Sequence, residues 1–196
     1  MGCYKLYKIN RKFFYLLVLL TIVLGAGLFM DDFNRKFVYP IRYRQEVEEY
    51  SKEFGVDKYL VYSIIKTESK FDKDAVSNKG AKGLMQVTDK TASWAAKELK
   101  LGSSINIFEP KTNIRIGVWY LSRLEREFHG NIDLSIAAYN GGSGNVRKWL
   151  NKDEYSKDGQ SLMKIPFKET SDYTYRVMRN YKICLLYTSP SPRDRG

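Results

Sequence analysis

The sequence predicts an all-α domain preceded by one apolar N-terminal helix. Apolar residues recur at helical spacing in segment after segment between Val47 and Tyr181. Most of these segments open on a capping residue or a proline, or close on a glycine. No run of alternating apolar and polar residues marks a strand, and no internal repeat is visible. With 43% hydrophobic residues in 196, the chain can build one ordinary domain with a real core.

The first element is the N-terminal run. Lys5, Lys8, Arg11 and Lys12 precede an uncharged stretch over 13–30, and Asp31 and Asp32 follow it. As a helix that stretch is about 27 Å long, close to the roughly 30 Å hydrocarbon core of a bilayer. The basic flank belongs on the cytoplasmic side, which puts everything after residue 30 outside. Two readings stay open: an uncleaved single-pass anchor, and a signal peptide that is removed. The length favours the anchor, and Gly25-Ala26-Gly27 offers small residues without an A-x-A site. Residues 31–42 read as a spacer and 43–183 as the folded domain.

Within the domain, a charged helix is predicted from about Ile41 to Phe54, stopped by Gly55. Asp57 caps the next helix, whose apolar face is Leu60, Val61, Ile64 and Ile65. One turn further along that face stands Glu68. A carboxylate there is costly unless it is paired or protonated, and burial raises its pKa toward the range a proton donor needs. An ordinary ion pair with Lys66 or Lys70 also fits the position. Residues 72–82 mix Asp, Ser, Asn and Gly and read as a loop. Thr88 caps a helix through Leu99. Pro110 opens a long amphipathic helix marked by Ile114, Gly117, Val118, Leu121, Leu124 and Phe128. His129, before Gly130, suits its C-terminal end. A short apolar helix covers Ile132–Tyr139, broken by Gly141–Gly144, with one further helical turn over Val146–Leu150. After a polar loop over 151–164, Thr170 or Ser171 caps a last helix through about Ile183, with Tyr173, Val177 and Tyr181 on one face.

Three blocks in this frame belong together. They are Glu68-Ser69-x-Phe71 with Ala75-x-Ser77-x-x-Gly80-Ala81-x-Gly83-Leu84-Met85-Gln86-Val87, then Ala137-Ala138-Tyr139-Asn140-Gly141-Gly142, then Glu169-Thr170-x-x-Tyr173. In this order they resemble the soluble lytic transglycosylases, the goose-lysozyme-like group of peptidoglycan-cleaving enzymes. The resemblance runs from about Tyr43 to Tyr181. It implies a lysozyme-like fold, peptidoglycan glycan strands as substrate, no cofactor and no metal. Glu68 matches the single catalytic carboxyl. Ser77, Gly83, Met85, Gln86, Tyr139 and Asn140 match substrate-binding positions, and Tyr173 matches the tyrosine that positions the carboxyl.

Each of these residues also has an ordinary structural reading. Ser77 can bond its own turn, and Gly80 and Gly83 can be turn glycines. Met85 can fill the core, and Tyr139 and Tyr173 can simply pack there. One carboxyl in place of the usual glycosidase pair suffices if the substrate supplies the nucleophile. By the resemblance, the C6 hydroxyl of N-acetylmuramic acid attacks its own anomeric carbon and leaves a 1,6-anhydro end. A hydrolysing lysozyme on the same fold and a non-catalytic wall-binding or scaffold module are the alternatives.

Composition excludes several other classes. Cys3 and Cys184 form no disulfide framework, and with a lone histidine there is no metal-ligand spacing. Gly141-Gly142-Ser143-Gly144 lacks the lysine and strand context of a phosphate loop. The net charge of +11 suits an anionic partner, but the basic residues are scattered and the outward topology argues against nucleic acid. The stretch from Cys184 to Asp194 resembles the translation of a transposon-type sequencing adapter. The natural chain is expected to continue differently after about Ile183, leaving 184–196 as a non-native or disordered tail.

Overall fold

The computed structural model describes residues 11–33, 42–102 and 105–188. The chain divides into two compact units, Met1–Ile41 and Arg42–Gly196. In the first, α1 covers Arg11–Phe33, and the side chains from Phe13 to Leu24 are largely exposed. Among the described residues no helix is long and apolar enough to cross a membrane. Most of the expected spacer lies outside the described residues.

The second unit is helical, as predicted. It consists of α2 Arg44–Phe54, α3 Lys58–Ser69, α4 Asp89–Glu98, α5 Pro110–Glu127, α6 Ile132–Gly141, α7 Ser143–Leu150 and α8 Lys168–Thr188. Among the described residues the only strand-like pairing is two isolated bridges, Val76 with Lys82 and Lys82 with Val87. The caps predicted at Asp57, Thr88 and Gly55 work as expected. The Asp57 carboxylate accepts from the Tyr59 N–H at 2.7 Å, and Thr88 Oγ1 accepts from the Thr91 N–H at 3.2 Å. Gly55 closes α2 at φ 71°. The carboxylate of Glu109, just before Pro110, caps α5 through the N–H groups of Lys111 and Thr112.

Several boundaries differ from the sequence reading. Helix α2 starts at Arg44 rather than near Ile41, because Tyr43 turns the chain in a left-handed conformation at φ 57°. The glycine-rich stretch after Tyr139 is not a loop. Only Gly142, at φ 83° and ψ 135°, leaves the helical region, so α6 runs on to Gly141 and α7 restarts at Ser143. Helix α8 begins at Lys168, which places Thr170 and Ser171 inside it rather than at its cap. It also continues past Ile183 to Thr188. Cys184 packs against the main core there, and Ser63 Oγ donates to its sulfur at 3.8 Å.

Helices α3 and α8 form the tightest pair, with α2 against α5 and α6 between α5, α7 and α8. Leu60, Val61, Ile64 and Ile65 of α3 are fully buried with Val177 of α8. Each such aliphatic side chain contributes roughly 1.5–3 kcal/mol by leaving water. That seam carries Glu68 from one side and Tyr173 from the other. A second apolar cluster around Trp149, Phe128 and Val146 fixes the far end of α6.

Candidate active site

Glu68 lies in the last turn of α3, and its apolar register turns it inward toward α8. The chain then bends sharply through two consecutive left-handed residues, Lys70 at φ 52° and Phe71 at φ 68°. Phe71 is a bulky residue in a region that such residues avoid. Burial of its ring, 6% exposed, holds the bend in place. Tyr173, 2% exposed, donates its hydroxyl proton to Glu68 Oε1 at 2.9 Å. Two turns further along α8, Asn180 Nδ2 donates to Thr67 Oγ1 at 3.0 Å and pins the same two helices.

Burial pushes the Glu68 carboxyl up to about 7, with the Tyr173 hydrogen bond and the Arg176 charge pulling the other way. Its place at the negative end of α3 also favours the neutral form. The ion pair considered from sequence does not form: Glu68 meets Tyr173, not Lys66 or Lys70. Burial raises the hydroxyls of Tyr173 and Tyr139 well above their ordinary value, with the Glu68 charge second, so both remain proton donors.

The loop from Ala75 to Val87 faces this carboxyl through Tyr139, whose hydroxyl donates to the Met85 carbonyl at 2.9 Å. The loop is locked from below by Asn113 of α5, which is completely buried. Asn113 Oδ1 accepts from the Met85 N–H at 2.8 Å, and its Nδ2 donates to the carbonyls of Lys82 at 2.9 Å and Ile107 at 2.8 Å. Gly83, at φ 73°, is glycine because a Cβ there would stand 2.3 Å from Asn113 Nδ2.

Ser77 is half-buried, and its Oγ accepts from the Ala81 N–H at 3.0 Å within the loop. Its own hydroxyl proton is left to donate elsewhere. Gln86, at φ 48°, donates its side-chain amide to the carbonyls of Ala75 at 3.2 Å and Gly83 at 2.9 Å. Asn140 Oδ1 accepts from Thr170 Oγ1 at 2.9 Å, which turns its NH2 group to the other side. Met85 differs from its expected place. Its side chain is fully buried and packs into the space left by Gly117, where a Cβ would meet its sulfur at 2.5 Å. Its backbone carbonyl, not its thioether, is the part engaged by Tyr139. On the rim, Lys79 pairs with Glu169 at 2.8 Å, an exposed bridge between loop and α8 that contributes little energy.

Asn113 and Arg176 escaped the sequence reading, which has Thr170 only as a cap and a motif position, not as the partner of Asn140. Asn113 interrupts the buried stripe that continues through Ile114, Gly117 and Val118, and a polar residue in such a stripe is the signal that could have found it. Arg176 stands one turn after Tyr173 on α8, at a spacing that shares a face. No second carboxylate is among the groups that shift Glu68. Asp74 is exposed and paired with Lys73, and Asp72 accepts from the Asp74 N–H. Among the described residues no cluster of His, Cys, Asp or Glu could hold a metal ion.

Tyr173→Phe removes a hydrogen bond that stabilises the charged carboxylate. We expect a loss of about tenfold in turnover. The pH at which Glu68 ionises should also move further upward, because a pull toward the charged form is gone. A pH–rate profile of the variant tests this, and an unmoved alkaline limb would contradict the hydrogen bond's role.

Comparison with known proteins fits this arrangement. The family model "Transglycosylase SLT domain" matches residues 45–162. The soluble lytic murein transglycosylase of Escherichia coli K12 is 32% identical over 176 residues, covering 88% of this chain and 26% of that protein. The membrane-bound lytic murein transglycosylase C of Sodalis glossinidius is 35% identical over 124 residues, covering 58% of this chain and 35% of that protein. The solved structure of an inactive mutant of the lytic transglycosylase Slt from Pseudomonas aeruginosa superposes with a TM-score of 0.68 at 30% identity, over 79% of this chain and 26% of that one. The chain thus spans about a quarter of the length of the soluble transglycosylases it matches. With the match spanning α2 to the loop after α7, and with a half-buried carboxyl held by a tyrosine from α8, the chain belongs to the transglycosylase SLT domain family.

Proposed function

We propose that this chain is a peptidoglycan lytic transglycosylase that cuts between N-acetylmuramic acid and N-acetylglucosamine and leaves a 1,6-anhydro product. The observation that carries this is a single carboxyl, Glu68, raised by burial to about 7 and held by Tyr173. Such a group is protonated often enough near neutral pH to donate to a glycosidic oxygen. Once ionised, with the Tyr173 hydroxyl on one oxygen, it is a base for the C6 hydroxyl of the same sugar. The bond to the leaving sugar breaks, the C6 oxygen bonds the anomeric carbon, and the proton returns to Glu68. Ring closure within one sugar depends on orientation more than on a second charge. Ser77, Gln86, Asn140 and the backbone at Gly83 are the groups proposed to orient the strand, with Tyr139 and the Met85 carbonyl setting the wall of the site.

In this reading kcat/KM falls as pH rises through about 7, because the free enzyme must enter with Glu68 protonated. A flat profile between pH 6 and 8.5 would contradict it. Mass spectrometry of digested wall separates the proposal from a lysozyme: 1,6-anhydro ends support it, and reducing ends alone assign a hydrolase. The absence of a carboxylate among the groups that perturb Glu68 favours the first outcome. We further propose 43–183 as the catalytic unit and residues 13–30 as a membrane anchor, with the catalytic unit extracytoplasmic. The anchor rests on the uncharged run and its basic flank alone, since no described helix is long and apolar enough to cross a membrane, and fractionation with and without residues 1–30 tests it.

A further inference from the structure

We infer that Trp94 and Arg123 form an outlying subsite for the glycan strand, one packing a sugar ring and the other meeting carboxylates that the strand carries. The inference rests on the function proposed above. Trp94 stands on α4, whose buried residues are the small Ala92 and Ala95. The indole remains 40% exposed. It is nevertheless held firmly. Its ring meets that of Trp119 edge-on at 4.8 Å between centroids, and that of Tyr120 at 6.3 Å. Trp119 is 4% exposed and so fixes the indole from within. Tyr120 in turn lies 5.4 Å from Tyr139, which feels the Glu68 charge. A row of rings therefore leads from solvent to the reaction centre.

Two properties of the row suit a polysaccharide. A rigid aromatic surface matches the C–H faces of sugar rings, leaves their hydroxyls in water, and loses little side-chain freedom on binding. Arg123 follows Trp119 by one turn of α5, which brings its guanidinium over the Trp94 ring at 5.6 Å. Arg123 is exposed, and among the described residues it has no carboxylate at ion-pair distance. A stacked guanidinium that keeps its donors outward pairs well with a carboxylate. Peptide stems on a wall polymer supply that group, whereas a neutral glucan does not.

The test uses the full chain and glycan strands of graded length. Trp94→Ala should raise KM on long strands about three- to tenfold, with kcat unchanged. It should leave the shortest cleavable strands untouched. An unchanged KM, or an equal rise on short and long strands, overturns the platform. Arg123→Gln should raise KM only on strands that keep their peptide stems, and an equal effect on stripped strands overturns the carboxylate role. Binding is read separately as the Kd of long strands for the chain carrying Glu68→Gln, with and without Trp94→Ala. If the wild-type chain cuts nothing and Trp94→Ala still weakens binding, the proposed reaction fails and the platform stands. If strands are cut normally and neither KM nor Kd moves, the platform alone fails.

Discussion

Glu68→Gln is expected to stop glycan cleavage, by at least about a thousandfold, while making the fold more stable above neutral pH. The loss follows from the single carboxyl. Glutamine keeps the volume and still accepts from the Tyr173 hydroxyl, but it can neither give nor take the proton that the reaction moves twice. The gain follows from linkage. Burial raises the folded-state pKa of Glu68 from 4.5 to about 7, so the native chain holds a proton that the unfolded chain has released. Stability from this group therefore falls as pH rises from about 4.5 to about 7, and stays lost above that. The cost at pH 8 is on the order of 3 kcal/mol, which glutamine does not incur. Urea unfolding of both proteins at pH 5 and pH 8 tests it. The two should converge at pH 5 and separate at pH 8. Turnover of isolated peptidoglycan by Glu68→Gln at the wild-type rate would sink the assignment of the acid. Parallel stabilities at both pH values would sink the desolvated, neutral carboxyl.

Gly83→Ala is expected to cost about 3 kcal/mol and to remove most activity by unlocking the loop. The added Cβ would lie 2.3 Å from Asn113 Nδ2, 2.9 Å from its Cγ and 3.2 Å from the Ile107 carbonyl. Asn113 cannot swing aside without releasing the buried N–H of Met85 and the part-buried carbonyls of Lys82 and Ile107. Alanine at φ 73° adds backbone strain. Gly80 supplies the control. It has φ 78°, but nothing lies within 4 Å of its would-be Cβ, so Gly80→Ala carries only the backbone cost of about 1 kcal/mol. Denaturation midpoints that fall equally for the two variants would rule out the Asn113 lock.

The helices were legible because each announces itself locally. Asp57, Thr88 and Pro110 mark starts through groups that satisfy, or do without, the unpaired N–H donors of a first turn. Gly55 marks an end for the matching reason on the carbonyl side. The errors have equally local causes. Gly144 and Ser143 look like breakers, yet glycine tolerates helical dihedrals and only Gly142 is needed to turn the chain. Thr170 looks like a cap, but its hydroxyl goes to Asn140 across the site, and the helix begins earlier.

By itself the sequence determined the all-α plan, the carboxyl on an apolar helix face and the three blocks that mark the family. Only the tertiary structure decided what that carboxyl touches: a hydroxyl supplied 105 residues further along the chain. It also turned Met85 into the core and gave Asn113 its grip on the loop. Periodicity reveals which face of a helix avoids water. Which element comes to cover that face is a matter of packing between distant segments, and in that packing the proton on Glu68 acquires its energy.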